Sequence, residues 1–346
     1  MKQFKVSALL VVASIVFGAG VASAAPEVVT LKFSHFLPSS TNPHKFLFQP
    51  WCDKINKESG GRLKCQIYPS MQLGGTANQL FDQVRDGVAD IVWTLPTYQA
   101  GRFTKSEVFE LPFMIKTAEG GSQALWDYIH KNAMDEYRGF KLIATHVSTG
   151  TQLHLGKKSV KSLEDLKGLK IRATSRLNAE TLEALGAVPV QMPVTAVSEG
   201  ISKGVVDGAS IPWDITTAFK LEEICKTHTE TGPNQPKHGN SIFVWAMNQA
   251  KYNRLPPELK KVIDHNSGIE TSKWVGKTYA DWVAPPRDFA ISRHNTINTL
   301  TDAEFKRWVE ATRHVKDGWI KEVNKKGGDG KALLNDAKAL LKKYDR

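Results

Sequence analysis

The sequence predicts an α/β protein of two lobes with a cleft between them, and three observations carry that prediction. Residues 28–93 alternate strand and helix in a β-α-β-α-β rhythm. A second block with the same rhythm occupies residues 140–211. Each block is punctuated by glycine or proline where an element must stop, which argues for parallel-rich sheets with helices packed on their faces. Two such blocks within one chain give two lobes, and ligands in such architectures bind beyond the carboxyl ends of the strands.

The elements follow in order. Val28–Ser34 alternates Val29, Leu31 and Phe33 with polar neighbours and reads as a strand. Lys45–Glu58 is an amphipathic helix closed by Gly60-Gly61, and Arg62–Tyr68 is a strand stopped by Pro69. Thr76 caps a helix with Leu80 and Val84 on one face, ended by Gly87, and Ala89–Trp93 is the third strand. In the second block, Phe140–Val147 is a strand and Ser162-Leu-Glu-Asp165 opens a short helix. Leu169–Ala173, Val188–Val190 and Val205–Ile211 are strands, and Arg176–Leu185 and Val197–Lys203 are the helices between them. After a strand over Ser241–Asn248, Leu255-Pro-Pro-Glu258 starts helical sequence with proline in the first turn. Thr301-Asp-Ala-Glu304 is a further capping box, and the remaining sequence to residue 346 is basic and helical.

The amino-terminal segment has a different character. Met1-Lys-Gln-Phe-Lys5 is basic, Val6–Phe17 is almost wholly apolar, and Ala22-Ser-Ala24 is small. This is the pattern of a secretory signal peptide cleaved after Ala24. A membrane anchor needs about 20 uninterrupted apolar residues, and Gly18 and Gly20 interrupt the run. About 320 residues remain, a length that suits two domains. Loss of Lys2 and Lys5 takes the formal charge from +11 to +9. The lysines are dispersed and not interleaved with aromatic residues, so they read as solvated surface and not as a nucleic-acid platform.

Three cysteines, Cys52, Cys65 and Cys225, have no metal-ligand spacing. In an oxidising compartment Cys52 and Cys65 either form a disulfide or remain two buried thiols, with Cys225 unpaired. Catalytic signatures are missing from the sequence: Gly-x-Ser-x-Gly, His-Glu-x-x-His and a glycine-rich phosphate loop do not occur. His35 and His44 have no carboxylate motif to complete a metal site, and Glu222-Glu223 are adjacent and point to different helix faces. No cofactor is expected.

Several segments then fall into an ordered series. They are Ser34-His-Phe-Leu-Pro38, Glu58-Ser-Gly-Gly-Arg-Leu63, Ile67-Tyr-Pro69, Gln72-Leu-Gly74, Gln83-Val-Arg-Asp-Gly87 and Glu110-Leu-Pro-Phe113. Leu166-Lys-Gly-Leu-Lys-Ile-Arg172, Gly186-Ala-Val-Pro189, Gly204-Val-Val-Asp-Gly208 and Leu255-Pro-Pro-Glu-Leu259 continue it. In this order, behind an export signal, they resemble the extracytoplasmic solute-binding proteins of tripartite ATP-independent periplasmic (TRAP) transporters, the DctP-like family. The resemblance implies a two-domain periplasmic binding fold of the Venus-flytrap, type II-like kind, and a monomer. It also implies a small organic acid as ligand and integral-membrane permease subunits as partners. Neither nucleic acid, stable membrane insertion nor catalysis is implied. Domain I is expected over 25–150 plus about 240–275, and domain II over 151–239 plus about 300–346. A long helix over about 258–295 would span both, kinked or broken at Pro285-Pro286.

In the resembled family the arginine at position 172 pairs with the substrate's carboxylate. The chemistry suits it, since a guanidinium is always charged and offers a planar fork of donors; the plain alternative is an arginine solvated or ion-paired at a strand end. Gln152 and His154 stand where many members carry a second basic residue, although His154 also reads as a strand histidine satisfied by backbone. Ser210-Ile-Pro212-Trp213 replaces the common Glu-Asn-Pro. With a cation and an amide gone, and Ile211 and Trp213 added, a monocarboxylate with an apolar or aromatic body is favoured over a sugar acid. Phe36, Trp93 and Tyr98, near strand ends, are candidates for the opposing walls, or else ordinary core. The expected cycle is capture by domain closure followed by delivery to the permease. A sensing protein that docks on a membrane receptor is the alternative, and an exported enzyme the more distant one.

Overall fold

A computed structural model describes residues 27–345, so the expected signal peptide lies outside the described residues. Among the described residues, eleven strands form two mixed sheets. The first contains β1 (Val29–His35), β2 (Leu63–Tyr68), β3 (Ile91–Thr94), β4 (Phe140–Val147) and β10 (Ile242–Asn248), in the order β2-β1-β3-β10-β4. The second contains β5 (Gln152–Leu155), β6 (Lys170–Ala173), β7 (Val188–Gln191), β8 (Gly208–Ile211), β9 (Thr227–Glu230) and β11 (Thr296–Thr299), in the order β11-β9-β5-β8-β6-β7.

The predicted β-α-β units supply the parallel part of each sheet. β1 lies parallel to β2 and β3, with Phe33 opposite both Ile67 and Ile91. In the second sheet β6 lies parallel to β7 and β8. Every residue of β3, β8 and β10 is buried, the continuous burial expected where helices cover both faces of a sheet. The antiparallel members have a different origin. β4 leaves the first sheet and β5 enters the second; β9 leaves the second and β10 returns to pair antiparallel with β3 and β4. The chain therefore crosses between lobes twice at one place. There the crossing segments 148–151 and 239–241 are themselves paired, Ser148 N to Ser241 O at 3.0 Å and Thr151 N to Gly239 O at 2.9 Å. Gly150 adopts φ +86° in this pair, and a Cβ on it would meet Lys237 Cγ at 2.3 Å, so only glycine fits.

Two expectations are corrected by the helices that follow β10. The single long helix over about 258–295 is three: Pro257–His265, Ile269–Ala280 and Ala284–Ser292. The first break is at Gly268, whose φ of +111° no other residue adopts comfortably. The second break precedes the proline pair; Pro285 and Pro286 sit in the first turn of Ala284–Ser292, where a missing N–H leaves no intrahelical bond unmade. The helix Gly330–Tyr344, assigned above with domain II, instead packs on Ala118–Asn132, which covers the first sheet. Its end is fastened there, because Asp345 accepts hydrogen bonds from the backbone N–H of Lys116 (2.7 Å) and Thr117 (2.8 Å).

Helix Ile269–Ala280 also packs on Ala118–Asn132, and Gly276 makes the approach possible. A Cβ there would stand 2.4 Å from Ala118 O and 2.6 Å from Ser122 Oγ. Cys52 and Cys65 form a disulfide, with Cα atoms 5.6 Å apart, tying the helix Gln49–Glu58 to β2. Cys225 is a buried free thiol, and burial pushes it up to about 12.

Candidate ligand-binding site

Both lobes contribute to one cavity at their junction. The first lobe supplies Phe36 just past β1, Trp93 on β3, Tyr98 after β3 and Phe243 on β10. The second supplies Arg172 on β6, Ile211 at the end of β8 and Asp214 just beyond it. Tyr279, from the helices after β10, completes the wall. Arg172 is 1% exposed and Asp214 5%, so the lobes stand closed around this space.

The apolar wall is a stack of flat rings. Trp93 lies 4.8 Å from Phe243 at an interplanar angle of 7°, and 5.0 Å from Phe36 at 27°. Its orientation is pinned from behind, where Nε1 donates to His146 Nε2 at 2.8 Å. That bond makes Nε2 an acceptor, so the His146 proton sits on Nδ1, 3.3 Å from Val147 O. The imidazole is neutral, its pKa lowered by burial to about 3.

Arg172 is held on two of its three nitrogens. Nε donates to Met192 O (3.0 Å), and Nη1 donates to Thr174 Oγ1 (2.8 Å) and Ser210 O (3.2 Å). Nη2 is buried and has no hydrogen-bond partner among the described residues. Among the described residues Arg172 forms no ion pair. Burial disfavours its charged form and pushes its pKa down, while Tyr98 and Glu110 nearby favour the charge. A guanidinium fixed on one edge, with a donor uncommitted, is preorganised to bind an anion at little further entropic cost. Tyr98 marks the seam of the closure, because its hydroxyl accepts from Val194 N of the second lobe at 3.2 Å.

Four of the residues singled out from sequence, Arg172, Phe36, Trp93 and Tyr98, thus meet at this cavity. The other three do not line it. Trp213 and Gln152 face a separate groove, where Trp213 Nε1 donates to Glu230 Oε2 at 3.3 Å and Glu230 is clamped by Arg287. Proline at 212 ends β8 and turns the following indole away from the cavity, leaving Ile211 and Asp214 to face it.

His154 is buried behind β8, and its bonds fix its tautomer. Its Nε2–H donates to Ile211 O (3.0 Å), so its Nδ1 accepts from His228 Nδ1–H (2.7 Å). His228 Nε2 then accepts from Asn295 Nδ2 (3.2 Å). Burial pushes both imidazoles down, His228 to about 4. His154 is the strand histidine satisfied by backbone, and it supports the cavity wall through Ile211.

Asp214, Phe243 and Tyr279 escaped the sequence reading. Phe243 is legible in hindsight as the residue of β10 beside the crossing segment. Nothing in the sequence around Tyr279 distinguishes it from other helical aromatics. Asp214 is masked by the tryptophan that precedes it.

A model of the bacterial extracellular solute-binding protein family 7 matches residues 33–322. The chain belongs to this family. Solved structures agree. A TRAP solute-binding protein from Rhodoferax ferrireducens, in complex with copurified benzoate, is 42% identical. The match covers 92% of this chain and 98% of that one, with a TM-score of 0.90. A marine metagenome TRAP solute-binding protein specific for aromatic acid ligands, solved with 3-hydroxybenzoate, is also 42% identical. Coverage is 92% and 100%, with a TM-score of 0.90. A third, from Bordetella bronchiseptica with bound mandelate, is 28% identical over 92% and 100% at a TM-score of 0.84. The expected membership among TRAP solute-binding proteins is borne out, and with it the two-lobed α/β fold. Among the described residues, no helix is long and apolar enough to cross a membrane.

Proposed function

We propose that this family member captures an aromatic monocarboxylate in the periplasm and delivers it to a membrane permease, after export and cleavage behind Ala24. The observation that carries the reading is Arg172: a buried cation with a free Nη2, on the wall of a cavity lined by stacked rings. A carboxylate on Nη2 supplies the missing hydrogen bond and the missing countercharge together. The ring then lies against Trp93, Phe36 and Phe243, where aromatic pairing adds to the area buried. The benzoate and hydroxybenzoate complexes of the two 42%-identical proteins support this class of ligand.

In this reading the moving units are the two sheets with their helices, and the paired segments 148–151 and 239–241 are the hinge. The ligand bridges Arg172 on one lobe and Phe36 and Trp93 on the other, so its contacts exist in full only in the closed form and shift the population toward it. The closed face is what the permease recognises.

Calorimetry with benzoate tests the assignment. The wild type should bind it, and Arg172→Ala should lose about 2–5 kcal/mol, the range for truncating one member of a buried charge pair. That corresponds to roughly 30- to 4,000-fold in Kd. Unchanged benzoate affinity in a variant with a native melting profile would remove Arg172 from the anchor role.

A further inference from the structure

The cavity holds a second charged group that the capture of one carboxylate does not use. Asp214 is 5% exposed and lines the same cavity as Arg172. Both of its hydrogen bonds are made through Oδ2, which accepts from Thr149 N (3.2 Å) and Thr149 Oγ1 (2.6 Å). Oδ1 accepts none among the described residues, and no cation lies within ion-pair distance of the carboxyl. Asp214 and Arg172 are not paired with each other, so each meets a different part of whatever fills the space. Tyr279 stands on the same wall; its hydroxyl accepts and donates no hydrogen bond among the described residues, and burial, with the Asp214 charge added, pushes its pKa up.

An unpaired oxygen on a nearly buried carboxylate, on the wall of an otherwise aromatic cavity, has two consequences. It is costly to leave unpaired, so it favours a ligand that brings a donor. It repels any ligand that brings a second anion, because like charges in a low dielectric raise each other's energy. A ring hydroxyl is a neutral donor of the right kind; a second carboxylate is the group it rejects.

We propose that Asp214 reads the part of the ligand that Arg172 does not hold. Its Oδ1 accepts a hydrogen bond from a ring hydroxyl, so the protein prefers hydroxy-substituted aromatic monocarboxylates to the unsubstituted acid and excludes aromatic dicarboxylates. This rests on Arg172 as carboxylate anchor. It adds a specificity determinant on the side of the cavity that also touches the hinge, since Thr149 belongs to the crossing segment.

The test is a calorimetric ligand series on the mature protein: benzoate, 3-hydroxybenzoate, 4-hydroxybenzoate, isophthalate and terephthalate. The better of the two hydroxybenzoates should bind roughly 10- to 100-fold tighter than benzoate, as a hydrogen bond to a charged acceptor implies. The two dicarboxylates should bind at least about 10-fold more weakly than benzoate. In Asp214→Asn the hydroxybenzoate-to-benzoate ratio should shrink by at least about fivefold, and the penalty on dicarboxylates should shrink with it. Tyr279→Phe, which leaves the carboxylate in place, should retain the exclusion of dicarboxylates. A ratio that is the same in wild type and Asp214→Asn overturns the proposal, as do dicarboxylates that bind the wild type as well as benzoate does. If Asp214→Asn does not fold, the wild-type series decides by itself. Failure of benzoate to bind at all would instead bring down the anchor reading, and this inference with it.

Discussion

Arg176 and Glu107 join the two lobes directly. Arg176 opens the helix Arg176–Ala184 behind Arg172's strand, and its Nη2 meets Glu107 Oε2 of the first lobe at 2.5 Å while Nη1 meets Glu180 at 2.6 Å. The Glu107 side chain is 3% exposed and Arg176 25%. Burial pushes the Glu107 carboxyl up, and the guanidinium pulls it back. Opening the cleft would part the two, so the pair favours the closed form.

Arg176→Gln should therefore weaken ligand binding without touching the cavity. Because the arginine is partly solvated, the expected cost is about 1–2 kcal/mol, well below that of a fully buried pair. This amounts to roughly 5- to 30-fold in Kd. Adding Glu107→Gln should restore part of the loss by removing the stranded carboxylate. Equal affinities in wild type and Arg176→Gln would show that the pair takes no part in closure.

Acid should destabilise the protein more steeply than its carboxylates would suggest. Burial lowers His35, His146 and His238 to about 3 and His228 to about 4, and His154 is also pushed well down. These imidazoles stay neutral in the fold but take up protons below about 6.5 when unfolded. Their contribution is thus fully present above that pH and is lost as pH falls through 3–4. Glu110 and Glu136, raised by burial to about 7, and Asp214, raised to about 6, act oppositely: their contribution is present below about 4.5 and lost as pH rises toward 7. The two sets partly cancel between pH 4.5 and 6.5, and the histidines act unopposed below. Urea unfolding at pH 7, 5.5 and 4 should show the largest fall in the last step. Equal stability at pH 5.5 and 4 would contradict it.

Gly276→Ala should be destabilising despite alanine's better helix propensity. The added methyl group would overlap a backbone carbonyl and the Ser122 hydroxyl, so the two helices must move apart, at about 1–3 kcal/mol. The gain in propensity is only about 1 kcal/mol. A midpoint in chemical denaturation equal to or above wild type would show that the interface yields freely.

Removing the Cys52–Cys65 bridge by Cys→Ser at both positions should cost about 3 kcal/mol, the loop-closure value for a loop of this order. The sequence separation is 13 residues. Ligand affinity should stay unchanged, because neither residue lines the cavity. Loss of affinity in a folded double variant would tie the bridge to the site.

What the sequence made legible follows the strength of local signals. Strands such as β1, β4 and β10 carry Leu31, Phe33, Ile143 or Trp245 at 0% exposure, and their apolar patterning announces them. β9 and β11, with the sequences Thr-His-Thr-Glu and Thr-Ile-Asn-Thr, have no such patterning and are made strands by the register of their neighbours. Arg172 was visible through its motif, and Phe36, Trp93 and Tyr98 through their places at strand ends. Trp213, Gln152 and His154 do not line the Arg172 cavity. Gln152 and His154 share the sheet face of Arg172, His154 standing opposite Ala209 and Ala209 opposite Arg172, but β5 lies two strands from β6 and so beyond the reach of the cavity. Asp214 faces the cavity because Trp213 does not.

The clamp of Asp345 on the start of helix Ala118–Asn132 bears on how the polypeptide matures. The first lobe needs β10 between β3 and β4 and helix Gly330–Tyr344 on its flank, so it stays incomplete until residue 345 has been made. The second sheet, by contrast, has all six of its strands once β11 ends at Thr299. A nascent chain built this way keeps its first half open until the last helix is made, and an unclosed half is the condition a polypeptide must be in to be threaded through a membrane before it folds.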